Sequence, residues 1–138
     1  MDRGAPPECG SNRDLFEASE LRQVVLPTEP PGRTHIYNQF VIRGPRRDEL
    51  RAHLESRRIG TEVYYPLPLH KQPCFQDARQ GDVEAEAIFP HAEHAAATSL
   101  ALPIYGELTL AQQRVVVGAI AEFVETTEAA ARRGSARV

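Results

Sequence analysis

A chain of 138 residues with 16 basic and 19 acidic side chains has one domain's length and a net charge of −3. That balance excludes a general attraction to nucleic acid, and two cysteines, Cys9 and Cys74, exclude a disulfide framework. Fifteen of the 16 basic residues are arginine, so any chemistry needing a Schiff-base lysine within this chain falls on Lys71.

Residues 1–12 (MDRGAPPECGSN) carry Gly, Pro and polar residues without periodicity and read as a disordered leader. They contain no apolar stretch of the signal-peptide kind, so the thiols are expected to be reduced and the location cytoplasmic. Asp14 to Gln23 is expected as a short helix with Leu15, Phe16, Ala18 and Leu21 as its apolar positions. Pro27, Pro30, Pro31 and Gly32 then enforce an extended linker.

Ile36 to Ile42 reads as a strand, with Ile36, Asn38, Phe40 and Ile42 on one face and Tyr37, Gln39 and Val41 on the other. Pro45 to Arg58 follows as a helix with Leu50, Leu54 and Ile59 as buried positions and Gly60 as its cap. Thr61 to Tyr65 is expected as a second strand, ended by Pro66 and Pro68. Leu69 to Asp82 is a loop with one helical turn near Phe75, and Val83 to Ile88 a short helical insertion. His91 to Thr98 is a helix with Pro90 at its start. Leu100, Leu102 and Ile104 alternate as a third strand, which Pro103 assigns to an edge or an irregular position. Thr109 and Gln112 form a capping box opening a last helix with Val116, Val117, Ile120, Ala121, Phe123 and Val124 on its apolar stripe.

That helix is expected to fray after Thr127, leaving 128–138 as a flexible basic tail and 13–127 as the folded domain. No apolar run approaches a membrane span; the longest, Val115 to Ala121, contains Gly118. The order of elements gives a compact α+β domain, a small, mostly antiparallel sheet packed with helices.

Three candidate constellations are weak. His91 and His94 lie three apart on one helix, but no third ligand accompanies them, and the expectation is no metal. The arginines of 43–58 are interleaved with Asp48, Glu49 and Glu55, the pattern of a solvated, salt-bridged face and not of a nucleic-acid surface. Cys74 lies four residues after His70 without a third orienting group, so no nucleophilic dyad is expected.

The distinctive stretch is Thr61 to Phe75, TEVYYPLPLHKQPCF, where three prolines among two tyrosines and a histidine make a rigid loop. Such a loop can carry Tyr64, Tyr65 and His70 into a substrate pocket, or merely shape a turn while the tyrosines pack.

With the ordered strings RDEL…L…IGT, YYP-x-PLH-x-Q, FP-x-AE and LALPIY-x-EL, the sequence from about Leu15 to Phe123 resembles the C-terminal small domain of the DegT/DnrJ/StrS aminotransferases. The resemblance implies a fold type I, pyridoxal-phosphate-dependent enzyme acting on nucleotide-linked keto-sugars. It places Tyr64, Tyr65 and His70 toward the substrate cleft, with no catalytic residue on this chain. Members carry a large N-terminal domain supplying the Schiff-base lysine, whereas Lys71 sits in the PLH-x-Q loop, where the family has none. Gly106 stands where proline is usual.

The resemblance therefore implies a truncated portion of such an enzyme, inactive alone, with no cofactor held covalently. Its expected partners are the large domain, present or in trans, a second copy in a homodimer, and a nucleotide-sugar. A solitary ligand- or protein-binding module and one half of a split enzyme are the alternatives.

Overall fold

The structure, a computed structural model, describes residues 15–16, 21, 23–76 and 89–135. The expected leader, the Val83–Ile88 helix and most of the Asp14–Gln23 helix lie outside the described residues.

Strand β1 (Phe40–Arg43) pairs antiparallel with β2 (Ser99–Leu102) in the register Phe40↔Leu102, Val41↔Ala101, Ile42↔Leu100 and Arg43↔Ser99. Single antiparallel bridges extend this ribbon on both sides, Val25 to Arg43 and Glu62 to Ala101. Four chain segments thus lie side by side, in the order Val25, β1, β2, Glu62. The expected α+β class with a small antiparallel sheet holds.

The sheet has two unlike faces because side chains alternate along each strand. Phe40, Ile42, Leu100 and Leu102 point into the core with Leu50, Leu54, Ile59, Val116, Val117, Ala119 and Ile120. Helices α1 (Arg47–Ser56) and α4 (Leu110–Ser135) cover that face and pack on one another. Ile42, Leu54, Leu100 and Ile120 are fully enclosed, each worth about 1.5–3 kcal/mol in removed apolar surface. The other face carries Val41 and Ala101 and meets α3 (Pro90–Thr98) and the loop beyond Glu62.

Several expectations are corrected. The first strand begins at Phe40, not Ile36: Tyr37 has a positive φ of 48° and Ile36 is 89% exposed. A strand cannot pass through a left-handed residue, so Tyr37 turns the chain away before pairing starts. Thr61–Tyr65 contributes only the bridge at Glu62. The strand that Pro103 assigns to an edge or an irregular position is not at an edge, since it lies between two neighbours. It ends at Leu102, so the proline never enters the ladder.

Helix α1 is closed by a Schellman motif and not by Gly60. Ile59 N–H donates to Leu54 O at 3.0 Å, Arg58 N–H donates to Glu55 O at 2.9 Å, and Arg58 takes the left-handed position with φ 60°. The cause is hydrophobic: the residue after the left-handed one packs against the last turn, and Ile59 is buried beside Leu54 there. The box that opens α4 holds as expected. Thr109 N–H donates to Gln112 Oε1 at 2.9 Å, and Gln112 N–H donates to Thr109 Oγ1 at 3.3 Å. The helix runs on to Ser135, past the point at which the pattern has it fray.

Candidate functional site

The sheet face turned away from the core borders a cavity of about 550 Å³. Its size follows from composition. The helix laid across this face, α3, presents Ala92, Ala95 and Ala96, which are too short to fill the space against Val41 and Ala101. The loop leaving Glu62 closes the far side with Val63, Leu67 and Leu69. The hollow is mainly apolar, with a few polar groups at its margin, the usual make-up of a small-molecule site.

All three residues singled out from the sequence line this cavity: Tyr64, Tyr65 and His70. The proline-rich stretch holds them apart from regular structure until a 3₁₀ turn, Leu69–Lys71, and a helical turn α2, Pro73–Gln76. Tyr64 is 50% exposed and Tyr65 77%, so neither ring is used in the core. The same two tyrosines border a second hollow of about 440 Å³ with Gln72 and Cys74, and so form a ridge between two concavities.

His70 differs from the tyrosines in being held. Its Nε2 lies 3.1 Å from Glu93 Oε1, its side chain is 11% exposed, and its ring meets that of Phe89 at 4.9 Å. The other Glu93 oxygen, Oε2, lies 2.9 Å from Lys71 Nζ. Hydrogen bonding from Lys71 first, and then from His70, holds the Glu93 carboxyl below its ordinary range. Glu93 is the site residue that sequence reasoning passes over. Its signal was the first turn of α3, where a carboxylate meets the positive end of the helix dipole.

The weaker constellations do not assemble. His91 and His94 are both exposed, and among the described residues no group of three or more His, Cys, Asp or Glu side chains gathers as a metal site would need. Cys74 is exposed, with its thiol 4.0 Å from Gln72 Oε1. The arginine-rich helix is ion-paired, with Arg46 on Glu49, Arg47 on Asp48 and Arg57 on Glu122. Among the described residues no helix is long and apolar enough to cross a membrane.

The sequence model of the DegT/DnrJ/EryC1/StrS aminotransferase family matches residues 12–121. A pleiotropic regulatory protein of Geobacillus stearothermophilus is 51% identical over 79% of this chain and 28% of its own length. A dTDP-3-amino-3,4,6-trideoxy-alpha-D-glucose transaminase of Streptomyces venezuelae is 36% identical over 80% of this chain and 28% of its own. The S. venezuelae DesV structure in complex with a ketimine intermediate superposes with a TM-score of 0.69 at 33% identity, over 84% of this chain and 32% of that one. The chain thus spans less than a third of the proteins it matches.

Proposed function

The chain belongs to the DegT/DnrJ/EryC1/StrS aminotransferase family, and on that premise we propose that it forms the substrate-side small portion of a nucleotide-sugar aminotransferase. Tyr64, Tyr65 and His70 contact the nucleotide-sugar, and a large domain, on the same polypeptide or in trans, supplies the cofactor site. The observation that carries this reading is the cavity itself: the residues that the family resemblance assigns to the substrate side all border one hollow.

Pyridoxal phosphate in this family supplies an electrophilic carbonyl and an electron sink, and it is anchored by a lysine. The residues of this chain do not fit that anchor. The sole lysine is on a short exposed turn with its ammonium paired to Glu93 at 2.9 Å. That amine is not among the groups lining the cavity, so it is not presented to a carbonyl bound there. The chain alone is therefore expected neither to hold the cofactor covalently nor to transfer an amino group. A homodimer is compatible with this role.

The test uses the full chain with dTDP-glucose as probe. Titration should move the amide resonances of Tyr64, Tyr65 and His70, and assays with pyridoxal phosphate, glutamate and a dTDP-linked keto-sugar should give no amino sugar. Turnover by the chain alone, with Lys71 tagged after borohydride reduction, would overturn the proposal.

One observation favours a second reading. The relative at 51% identity bears a regulatory name, so a binding module acting through a protein partner is the alternative. It predicts unchanged Tyr64, Tyr65 and His70 resonances in the same titration.

A further inference from the structure

Glu93 divides its two oxygens between neighbouring residues of one turn, Oε1 to the His70 ring and Oε2 to the Lys71 ammonium, at 3.1 and 2.9 Å. Everything about its setting fixes it there. Pro90 begins α3, the main-chain N–H of Glu93 donates to Phe89 O at 3.0 Å, and the helix dipole favours a carboxylate in this first turn. The Phe89 ring also rests against His70, its centroid 4.9 Å from that of the imidazole, and limits how the imidazole can turn.

From this geometry we infer that Glu93 is a positioning residue of the site. It accepts a hydrogen bond from the Nε2–H of His70 and leaves Nδ1 as the hydrogen-bond acceptor for a hydroxyl of the bound sugar. The inference rests on the reading of His70 as a substrate contact. A neutral imidazole carries one N–H, and an acceptor fixed on Nε2 holds it there, because the other tautomer would set a lone pair against a carboxylate oxygen. An Nδ1 lone pair accepts from a hydroxyl and repels a phosphate oxygen. Lys71, the adjacent cation, is engaged by the same carboxylate, so this corner of the cavity offers an anion little. The ligand chemistry that matches it is the sugar and not the diphosphate.

Long-range proton–nitrogen spectra of the histidine rings in the full chain, at about pH 8, above the ordinary imidazole range, test the first half. The wild-type His70 ring should be protonated on Nε2. Glu93→Gln has one oxygen for two donors, and with that oxygen on Lys71 its NH2 faces Nε2 and should shift the ring toward the Nδ1-protonated tautomer, whereas Glu93→Ala should give a mixture, with matching amide spectra elsewhere certifying the fold. Affinity tests the second half. Glu93→Ala should bind dTDP-glucose about two- to fivefold more weakly, because only the rings with Nδ1 unprotonated accept the hydroxyl, Glu93→Gln should bind it no more tightly than Glu93→Ala, and dTDP should bind equally to all three.

A ring protonated on Nδ1 in the wild type, an unchanged ring in Glu93→Ala, or an equal loss of dTDP binding would each overturn the inference. If the wild type binds no dTDP-glucose while the ring responds to Glu93→Ala as stated, the reading of function falls, and with it the hydroxyl assignment. The coupling of Glu93 to His70 would then stand.

Discussion

Arg47 shows how one side chain can hold an assembly together. Its Nη1 donates to Ala96 O at 3.2 Å and Ser99 O at 3.0 Å, and its side chain is only 10% exposed, so α1 grips the junction of α3 and β2. Arg47→Ala should cost about 1.5–3 kcal/mol by the scale of hydrogen bonds from charged groups, read as a lower urea midpoint. Glu93 contributes to the acid limb of stability, as Glu49 does through Arg46. The Glu93 carboxyl is depressed by Lys71 and then by His70, so its contribution is present above the ordinary carboxylate range and disappears as pH falls through the lowered value. Below about pH 4.3 the wild-type Tm should therefore fall more steeply than that of Glu93→Gln; parallel curves would contradict this. Tyr64, Tyr65 and His70 could be picked from the sequence because prolines crowd them. Glu93 could not, since it meets His70 across 23 residues through a loop whose path no local pattern encodes.

Elements with their own local chemistry were readable, and those that depend on a neighbour were not. The capping box of Thr109 and Gln112 is written in four consecutive residues and is realised; Thr109→Ala should cost about 1 kcal/mol in thermal unfolding. The apolar stripes of α1 and α4 follow 3.6-residue periodicity and bury Leu50, Leu54, Val116, Val117 and Ile120, while Ala121, Phe123 and Val124 are half-buried and Ala119, outside the expected stripe, is enclosed. Residues 36–39 have strand composition but no partner, and the turn at Tyr37, its N–H donating to His35 Nδ1 at 2.8 Å, removes them from the sheet. At the end of α1 the hydrophobic demand of Ile59 decides where the left-handed residue falls, and it falls on an arginine. Arg58→Gly should consequently raise stability by about 0.5–1 kcal/mol, the steric penalty relieved less the added freedom of the unfolded chain.

At the scale of the molecule, the unequal covering of the sheet separates a structural face from a ligand face. Large side chains of α1 and α4 close one side, while the alanines of α3 leave the other hollow. Ala95→Leu should fill part of that hollow and weaken dTDP-glucose binding while leaving the urea midpoint unchanged or higher; a loss of stability would mean that the space is already packed. The α+β class was legible in the sequence because strand and helix patterns alternate, but the cavity was not. A void is a property of what two distant segments fail to fill.

The position of β2 between its neighbours also has a temporal meaning. Synthesis delivers Val25, β1 and Glu62 first, yet none of these segments pairs with the next one made except through Arg43. Ser99–Leu102 is the keystone, and it emerges late. Until it does, Ile42 and Leu54 wait with the core half built, and Ile120 follows only afterwards. Such long-range closure slows folding and lengthens the exposure of apolar surface. On the ribosome, this sheet is a structure completed from its middle, last.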